Sequence, residues 1–307
     1  MWFKNLQLFQ MTNTLDLQHI EDQLEAFKFE PCKSIETYRL GWVKPVPTAK
    51  QLHHIGSGAT LLCLRRQEKV IPAAVVNETL QERVEEIELN QGRRVGRKEK
   101  LSIKEDILIE LTPRAFVRSS FTWGYISPDD NLVIVDAASA KKADEFLDLL
   151  RQTLGSLPVV PFNTEHSPIV VMTEWLQDAT KRPDGLELDG QCELRSDLEE
   201  GSVIRAKQGE LDAEEILAHI ETGKQVVKLA IDWKEHVQCI ICDDLTLKRL
   251  RFGDDLLEEA QDSYSDEDPM TQLDADFNLM VLELRRFIKA LAGWMGGRKG
   301  SNTGKVT

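Results

Sequence analysis

The chain has 307 residues, of which 41% are hydrophobic and 29% charged, and its formal net charge is −14. This length can bury a sizeable core in one large domain or in two to three smaller ones, and no apolar run approaches the about 18 residues of a transmembrane helix. The opening residues lack the apolar segment of a signal peptide, and five scattered cysteines are typical of free thiols in a reducing cytoplasm.

In the first half of the chain, the spacing of apolar residues predicts alternating strands and helices. Loose alternation predicts a first strand over 2–10, and helical spacing predicts a first helix over 15–29. Strands are further predicted over 60–66, 115–126 and 131–136, and helices over 73–89, 102–111 and 139–154.

A basic decapeptide, QGRRVGRKEK at 91–100, interrupts this pattern between two predicted helices. Its five cations face a single acid, Glu99, in a chain that is otherwise strongly acidic. Glycines within the segment predict a connection, so the cations should lie at the tip or shoulder of a helical hairpin. This position favours contact with phosphates, although a solvated surface loop is the alternative interpretation.

The second half carries most of the acidity. Residues 1–151 have a net charge of −1 and residues 152–307 a net charge of −13. The run 254–268 contains eight acids and no base, which is typical of a solvated helix end and loop. A helix is predicted over 211–222, strands near 225–233, 235–242 and 245–252, and a last helix over 271–295. Together these elements predict an α+β fold with mainly antiparallel sheets and packed helices.

No catalytic or metal-binding constellation emerges from the motifs. His236, Cys239 and Cys242 have no second ligand pair, and cysteines three apart in a strand point to opposite faces, so buried thiols are predicted rather than zinc ligands. Three aspartate pairs beside turn signals could in principle hold Mg²⁺, but solvated loops are favoured. These pairs are Asp129-Asp130, Asp243-Asp244 and Asp254-Asp255.

Several strings distributed along the chain resemble the bacterial recombination-associated protein family RdgC. They occur in consistent order and cover nearly the whole length. They are WFKNL at the start, 113-PRAF-116, 136-DAASAKKADEFLDLLRQTLGSLPVVP-161, 203-VIRAK-207, 228-KLAIDW-233, 242-CDDLTLKRLRF-252 and 276-DFNLMVLEL-284.

This resemblance implies a non-enzymatic protein of the cytoplasm and nucleoid that uses no cofactor. It implies a curved subunit with a central part at 1–72 and 112–160, a helical tip at 73–111, a base at 161–295 and a disordered tail at 296–307. Two subunits are expected to meet tip to tip and base to base in a ring. The homodimer would encircle double-stranded DNA with little sequence preference, would have single-stranded DNA as a further partner, and would restrain RecA-promoted recombination.

The resemblance also implies two sets of functional residues. Those expected to face DNA are Lys69, Arg93, Arg94, Arg97, Lys98, Lys100 and Lys224. Those expected to close the ring at the tip are Arg114, Phe116, Arg118, Lys207 and Gln208. The sequence departs from the family after 203–207, where Gln208-Gly209 stand in place of a further Lys-Gln that relatives can carry, and this puts the polar support of the closing contact in doubt.

Two alternatives remain open at this point. One is a metal-dependent nuclease of DNA recombination that uses the aspartate pairs. The other is a recombination adaptor that binds RecA directly and meets DNA only incidentally. From the residues alone, without the resemblance, a core position is the favoured interpretation of Phe116.

Overall fold

The computed structural model describes residues 1–196, 201–207, 214–262 and 268–300. Within these ranges the chain forms twelve strands and eight α-helices, which confirms the predicted α+β class. The strands are β1 Leu6–Met11, β2 Tyr38–Val43, β3 His53–Gly56, β4 Ala59–Val70, β5 Phe116–Ser127, β6 Leu132–Asp136, β7 Val159–Pro161, β8 Leu186–Ser196, β9 Val203–Lys207, β10 Lys224–Trp233, β11 Val237–Cys242 and β12 Leu247–Phe252. The helices are α1 Ile20–Glu25, α2 Ala73–Gln91, α3 Arg97–Leu111, α4 Ala140–Leu154, α5 Pro168–Gln177, α6 Glu214–Glu221, α7 Asp254–Asp262 and α8 Pro269–Trp294.

All twelve strands belong to one antiparallel sheet with two halves. The N-terminal half has the order β2-β4-β5-β6-β1, and the C-terminal half continues as β12-β11-β10-β8-β9. The halves join where β1 lies beside β12, with Leu6 opposite Leu247. Strand β3 pairs with β4, and β7 pairs with the remaining edge of β1. The sheet is therefore continuous but narrow at the junction of its halves.

Helix α8 lies along one face of both halves. Phe277 and Leu284 from this helix share a buried cluster with Leu61 and Tyr125 of the N-terminal half and with Leu229 of the C-terminal half. On the opposite face, α1 and α4 cover only the N-terminal half. There Trp42 packs edge-on against Phe146, with the ring centroids 5.3 Å apart. The C-terminal half has no comparable apolar cluster on that opposite face among the described residues, and its polar side chains face solvent.

The first predicted helix, over 15–29, is wrong at both ends, since α1 covers only Ile20–Glu25. The following segment runs beside β2 instead: Phe29 donates its backbone N–H to the carbonyl oxygen of Trp42 at 2.9 Å, and Trp42 donates to Phe27 at 3.0 Å. Pairing with a strand therefore satisfies these backbone groups in place of helical hydrogen bonds.

Part of the predicted C-terminal tail is held against the fold. Arg298 donates from Nη1 to the backbone carbonyl oxygen of Asp130 at 2.6 Å, and Thr164 bridges to Arg298. The prediction of disorder is therefore wrong for residues 296–300, while residues 301–307 lie outside the described ranges. In the described part of the chain, no helix has both the length and the apolar composition needed to span a bilayer.

Candidate nucleic-acid interface

The basic decapeptide lies where a helical hairpin turns, as predicted, but the connection is shorter than predicted, because residues from Arg97 onward belong to the second helix. Helix α2 ends at Gln91, and Gly92 follows with φ of 63°, a left-handed conformation that glycine adopts without steric cost. Helix α3 begins at Arg97, after Gly96. Buried Val84 and Ile107 belong to the facing helices, and the arginines of the connection remain in solvent.

One of the five cations of the basic decapeptide is neutralised within the chain. Arg93 donates from both terminal nitrogens to the carboxylate of Glu99, at 2.7 Å each. This hydrogen-bonded pair lowers the pKa of Glu99 and raises the pKa of Arg93. The exposed side chains of Arg94, Arg97, Lys98 and Lys100 have no ion-pair partner among the described residues. We call these four the tip cations.

The tip cations occupy a position that suits an anion. Arg97 and Lys98 lie in the first turn of α3, where free backbone N–H groups and the helix dipole already produce a positive potential. Positive side chains at a helix N-terminus destabilise an isolated helix. For an approaching phosphate, however, the positive potential of these side chains adds to that of the backbone N–H groups.

Two other residues expected to face DNA lie apart from the tip. Lys69 is half-buried on β4 opposite Val117, at the root of the hairpin. Its distance from the tip is about 28 Å, the length of α2 at 1.5 Å per residue. Lys224 begins β10, with its Nζ 3.5 Å from Nδ1 of His219. The structure therefore places the expected DNA-facing residues at three separate positions in the subunit.

The residues expected at the ring closure lie in different halves of the sheet. Phe116 begins β5 and is 87% exposed, so it is not a core residue of the subunit. Arg114 precedes it in a short 3₁₀ turn, and Arg118 pairs with Glu68 on β4. Lys207 ends β9, the edge strand of the C-terminal half, seven strand positions from β5, which is about 34 Å along the sheet. Gln208 lies outside the described residues.

The open face of the C-terminal half carries a basic pocket that was not predicted as one site. The cations come from β9, β10 and β12 and surround Glu193 of β8 in a cavity of about 360 Å³. The pocket cations are Arg205, Lys207, Lys228, Lys248 and Arg249. Each was visible as a basic residue in the sequence, but only the strand order brings them together.

Glu193 is the acid at the centre of this pocket, and it is 7% exposed. Arg205 donates from Nε to Glu193 Oε2 at 2.9 Å, and Lys228 donates from Nζ to the same oxygen at 3.0 Å. Burial acts to raise the pKa of Glu193, but these hydrogen bonds outweigh it, so the pKa of Glu193 is lowered. The pocket thus has one fixed anion against five cations and retains a positive excess.

Metal and thiol chemistry find little support in the geometry. Within the described ranges, no group of three or more His, Cys, Asp or Glu side chains is arranged to hold a metal ion. Asp130, a member of one predicted pair, instead accepts from Arg285 Nε at 2.7 Å and from Ser127 Oγ at 2.6 Å. Cys239 and Cys242 are both buried in β11, and burial raises the pKa of the Cys242 thiol to about 11. The prediction of buried thiols is confirmed.

Comparison with known proteins identifies relatives over nearly the full chain. A family model described as "Putative exonuclease, RdgC" matches residues 1–298. A relative named recombination-associated protein RdgC from Tolumonas auensis is 47% identical, covering 97% of this chain and 99% of the relative. Proteins of the same name from Aeromonas hydrophila and Psychromonas ingrahamii are 46% and 42% identical, covering 98% and 97% of this chain and 100% and 99% of their own length. The chain therefore belongs to the RdgC family of recombination-associated proteins.

Proposed function

We propose that the protein is a double-stranded DNA-binding protein that acts in the nucleoid without sequence preference and without catalysis. A homodimeric ring would enclose the duplex and restrain RecA-promoted recombination by occupying the DNA. In this proposal the hairpin 73–111 is the tip, residues 1–72 and 112–160 are the central part, and residues 161–295 are the base. The observation that carries the proposal is the set of exposed tip cations without acidic partners in a strongly acidic chain.

The net charge of −14 does not oppose this proposal. Charges separated by more than the Debye length, about 8 Å at physiological salt, are largely screened from one another. A phosphate near the tip cations or the basic pocket therefore experiences the local cations, while acids on distant surfaces repel DNA from other parts of the subunit. Lys69 at the root of the hairpin and Lys224 at the start of β10 would each add a single contact.

Closure of the ring would bring Phe116 against a second subunit. An 87% exposed phenylalanine at the end of a rigid strand is a poor surface residue for an isolated monomer, and aromatic side chains are enriched at interface cores. Phe116 and Lys207 are too far apart to meet within one subunit. A closing contact that includes both, with Arg114, Arg118 and Gln208 around them, would have to form between subunits.

Salt titration tests the central claim of this proposal. Duplex affinity is expected to fall steeply as salt rises, with log K linear in log[salt] and a slope of about −0.9 for each phosphate neutralised. Oligonucleotides of different sequence should bind alike, because base-specific contacts are not part of the proposal. Fluorescence anisotropy with several duplex sequences measures both properties. Affinity that ignores salt, or that strongly favours one sequence, would contradict the proposal.

Glu193→Gln tests whether the basic pocket takes part. Because the substitution removes the central anion and keeps the shape, duplex binding should tighten and the salt slope should steepen by about 0.9. The melting temperature should fall, since Arg205 and Lys228 lose a charged carboxylate as acceptor and retain at most one neutral amide oxygen. Salt titration and thermal melting measure these effects, with Glu174→Gln as a control at an exposed acid. An unchanged salt slope would remove the pocket from the DNA-contacting surface.

The same residue gives a pH dependence of stability. A carboxyl group with a lowered pKa in the folded state stabilises the fold above its unfolded pKa, near 4.5 for Glu193. This contribution is lost as the pH falls through the lowered folded pKa. Glu193→Gln should therefore lower the melting temperature at neutral pH and remove part of its decline on the acid side.

Nuclease activity is the alternative that the family model's description names. DNA incubated with the protein and Mg²⁺ is expected to stay intact, because Asp130 is bound by Arg285 and no group of three or more His, Cys, Asp or Glu in the described ranges is arranged to hold a metal ion. Gel analysis of end-labelled linear duplex measures this directly, and progressive loss of the labelled end would establish an exonuclease. Recovery of RecA with the protein from nuclease-treated lysate would instead favour the adaptor.

A further inference from the structure

An aromatic groove lies on the face of the N-terminal half of the sheet that α8 covers only in part. Along β5, Phe121, Trp123 and Tyr125 point to the same face because strand residues alternate. Tyr125 packs against Phe277 of α8, Trp123 is half-buried against the same cluster, and Phe121 is 54% exposed. The groove has a volume of about 490 Å³.

The opposite wall of the groove is Phe29, from the segment that runs beside β2. This ring can lie across the sheet because position 41 is glycine: a Cβ there would come within 2.3 Å of the Phe29 Cα. Arg65 of β4 lies between the two aromatic walls, with its guanidinium carbon 4.4 Å from the Phe29 ring centroid and 5.8 Å from that of Phe121. Two aromatic surfaces and a stacked cation are therefore fixed on a rigid sheet.

Most of the positive charge of this groove is uncompensated, because Lys44 and Arg65 have no acidic partner among the described residues. Lys28, Lys44 and Arg65 line it, and its lining in the described structure contains no Asp or Glu. Arg65 donates from Nε and Nη2 to the Ser119 hydroxyl at 3.2 and 3.0 Å and has no acidic partner among the described residues. Of the three cations, Lys28 pairs with an acid, Glu25, outside the groove.

The neighbouring arginine, Arg66, also stacks on an aromatic ring, but its charge is neutralised by acids. Arg66 points to the other face and lies over Tyr38, at 4.4 Å from the ring centroid. It forms ion pairs with Glu68 at 3.2 Å and with Glu145 at 2.8 Å. An arginine stacked on an aromatic ring is thus present on both faces of β4. Arg66 is neutralised by acids, whereas Arg65 keeps its positive charge.

We propose that the groove is a base-stacking site for single-stranded DNA. One or two unpaired bases would lie against Phe121 and Trp123, and Arg65 with the two lysines would hold the flanking phosphates. Exposed aromatic rings interleaved with cations on a sheet are the chemistry that binds single strands, because every unpaired base offers a flat face to a ring. A duplex cannot use this site, since its bases are already stacked on each other. An uncharged apolar peptide would leave Lys44 and Arg65 without counter-ions.

The test compares three fluorescent probes on the full-length protein: oligothymidine, an abasic oligonucleotide of the same length and charge, and a duplex. Wild type should bind oligothymidine more tightly than the abasic strand. Phe121→Ala should weaken oligothymidine binding by roughly 5- to 100-fold, the loss expected for one base stack. It should leave abasic and duplex affinities unchanged. Phe121→Trp should retain oligothymidine binding, and Tyr38→Ala, at the neutralised pair, should bind like wild type.

Three results would overturn this proposal. Wild type could bind the abasic strand as well as oligothymidine, a comparison that needs no variant. Phe121→Ala could keep full oligothymidine affinity while melting like wild type. Light scattering could show that Phe121→Ala has lost subunit association, in which case a second copy of the chain occupies the groove. Duplex affinity of wild type is measured separately, so failure of the duplex-binding proposal would be recognised independently.

Discussion

Replacing Arg93, Arg94, Arg97 and Lys98 together with alanine is expected to weaken duplex binding and to flatten its salt dependence. Three of these four side chains have no acidic partner among the described residues, whereas Arg93 is held by Glu99 at 2.7 Å. The salt slope should therefore become less negative by about 2.7, at about 0.9 for each released contact. Salt titrations of wild type and variant against the same duplex measure this difference.

Stability and assembly should not change in this variant. Exposed side chains on a connection alter the free energy of unfolding by about 0.5 kcal/mol or less when substituted. Arg151→Ala is a matched control, because that guanidinium is already paired with Asp148 at 2.6 Å on the exposed side of α4. If the quadruple variant keeps the wild-type slope, the basic decapeptide is only a solvated surface segment, and DNA must be bound elsewhere.

Phe116→Ser is expected to separate ring closure from folding. The side chain is 87% exposed in the subunit, so its loss should leave the subunit's melting temperature nearly unchanged. At an interface that buries it as a core does, truncation of phenylalanine costs about 3–5 kcal/mol. The variant should remain a dimer through its base, should still bind DNA, and should slide from linear DNA and be poorly retained on closed circles. Light scattering and retention assays on both DNA forms measure these properties.

Ile55→Ser provides the control for this experiment. Ile55 is 63% exposed on β3, opposite Thr60, at the far end of β4 from Phe116. Ten residues of β4 separate the two positions, about 33 Å of extended strand. The Ile55→Ser variant should be retained on closed circular DNA as wild type is. Wild-type retention by a folded Phe116→Ser protein would show that this contact does not close the ring.

The predicted fold was most accurate where sequence pattern and final environment agree. The amphipathic α4 and the long α8 were placed within two residues at each end, because one stripe of each helix is buried and the other faces solvent. Strand β8 was missed because Gly190, with φ of 53°, and irregular pairing with β10 disrupt its alternation. Helix α5 was missed because residues 169–172 are all apolar. Without alternation of apolar and polar residues, the pattern cannot distinguish a buried helix from a buried strand.

The candidate site divides in the same way. The tip cations were predictable because they are neighbours in the chain, and two glycines mark the connection that exposes them. The basic pocket was not predictable as a unit, since Arg205, Lys228 and Lys248 come from three strands and meet only through the order of the sheet. Phe116 was ambiguous for a related reason: a phenylalanine at the start of a strand looks the same in sequence whether its strand end is covered or open.

The position of α8 across both sheet halves also has a consequence for synthesis of the chain. Strands of the N-terminal half are complete at Asp136, but the helix that covers their apolar face begins only at Pro269. Phe3 even donates its backbone N–H to Met280 Sδ at 3.3 Å, across 277 positions. At usual translation rates, the time between synthesis of Asp136 and synthesis of Pro269 is on the order of ten seconds. Throughout that interval Leu61 and Tyr125 of the nascent chain are accessible to chaperones and to neighbouring nascent chains. A polypeptide truncated before α8 would leave these two side chains exposed permanently.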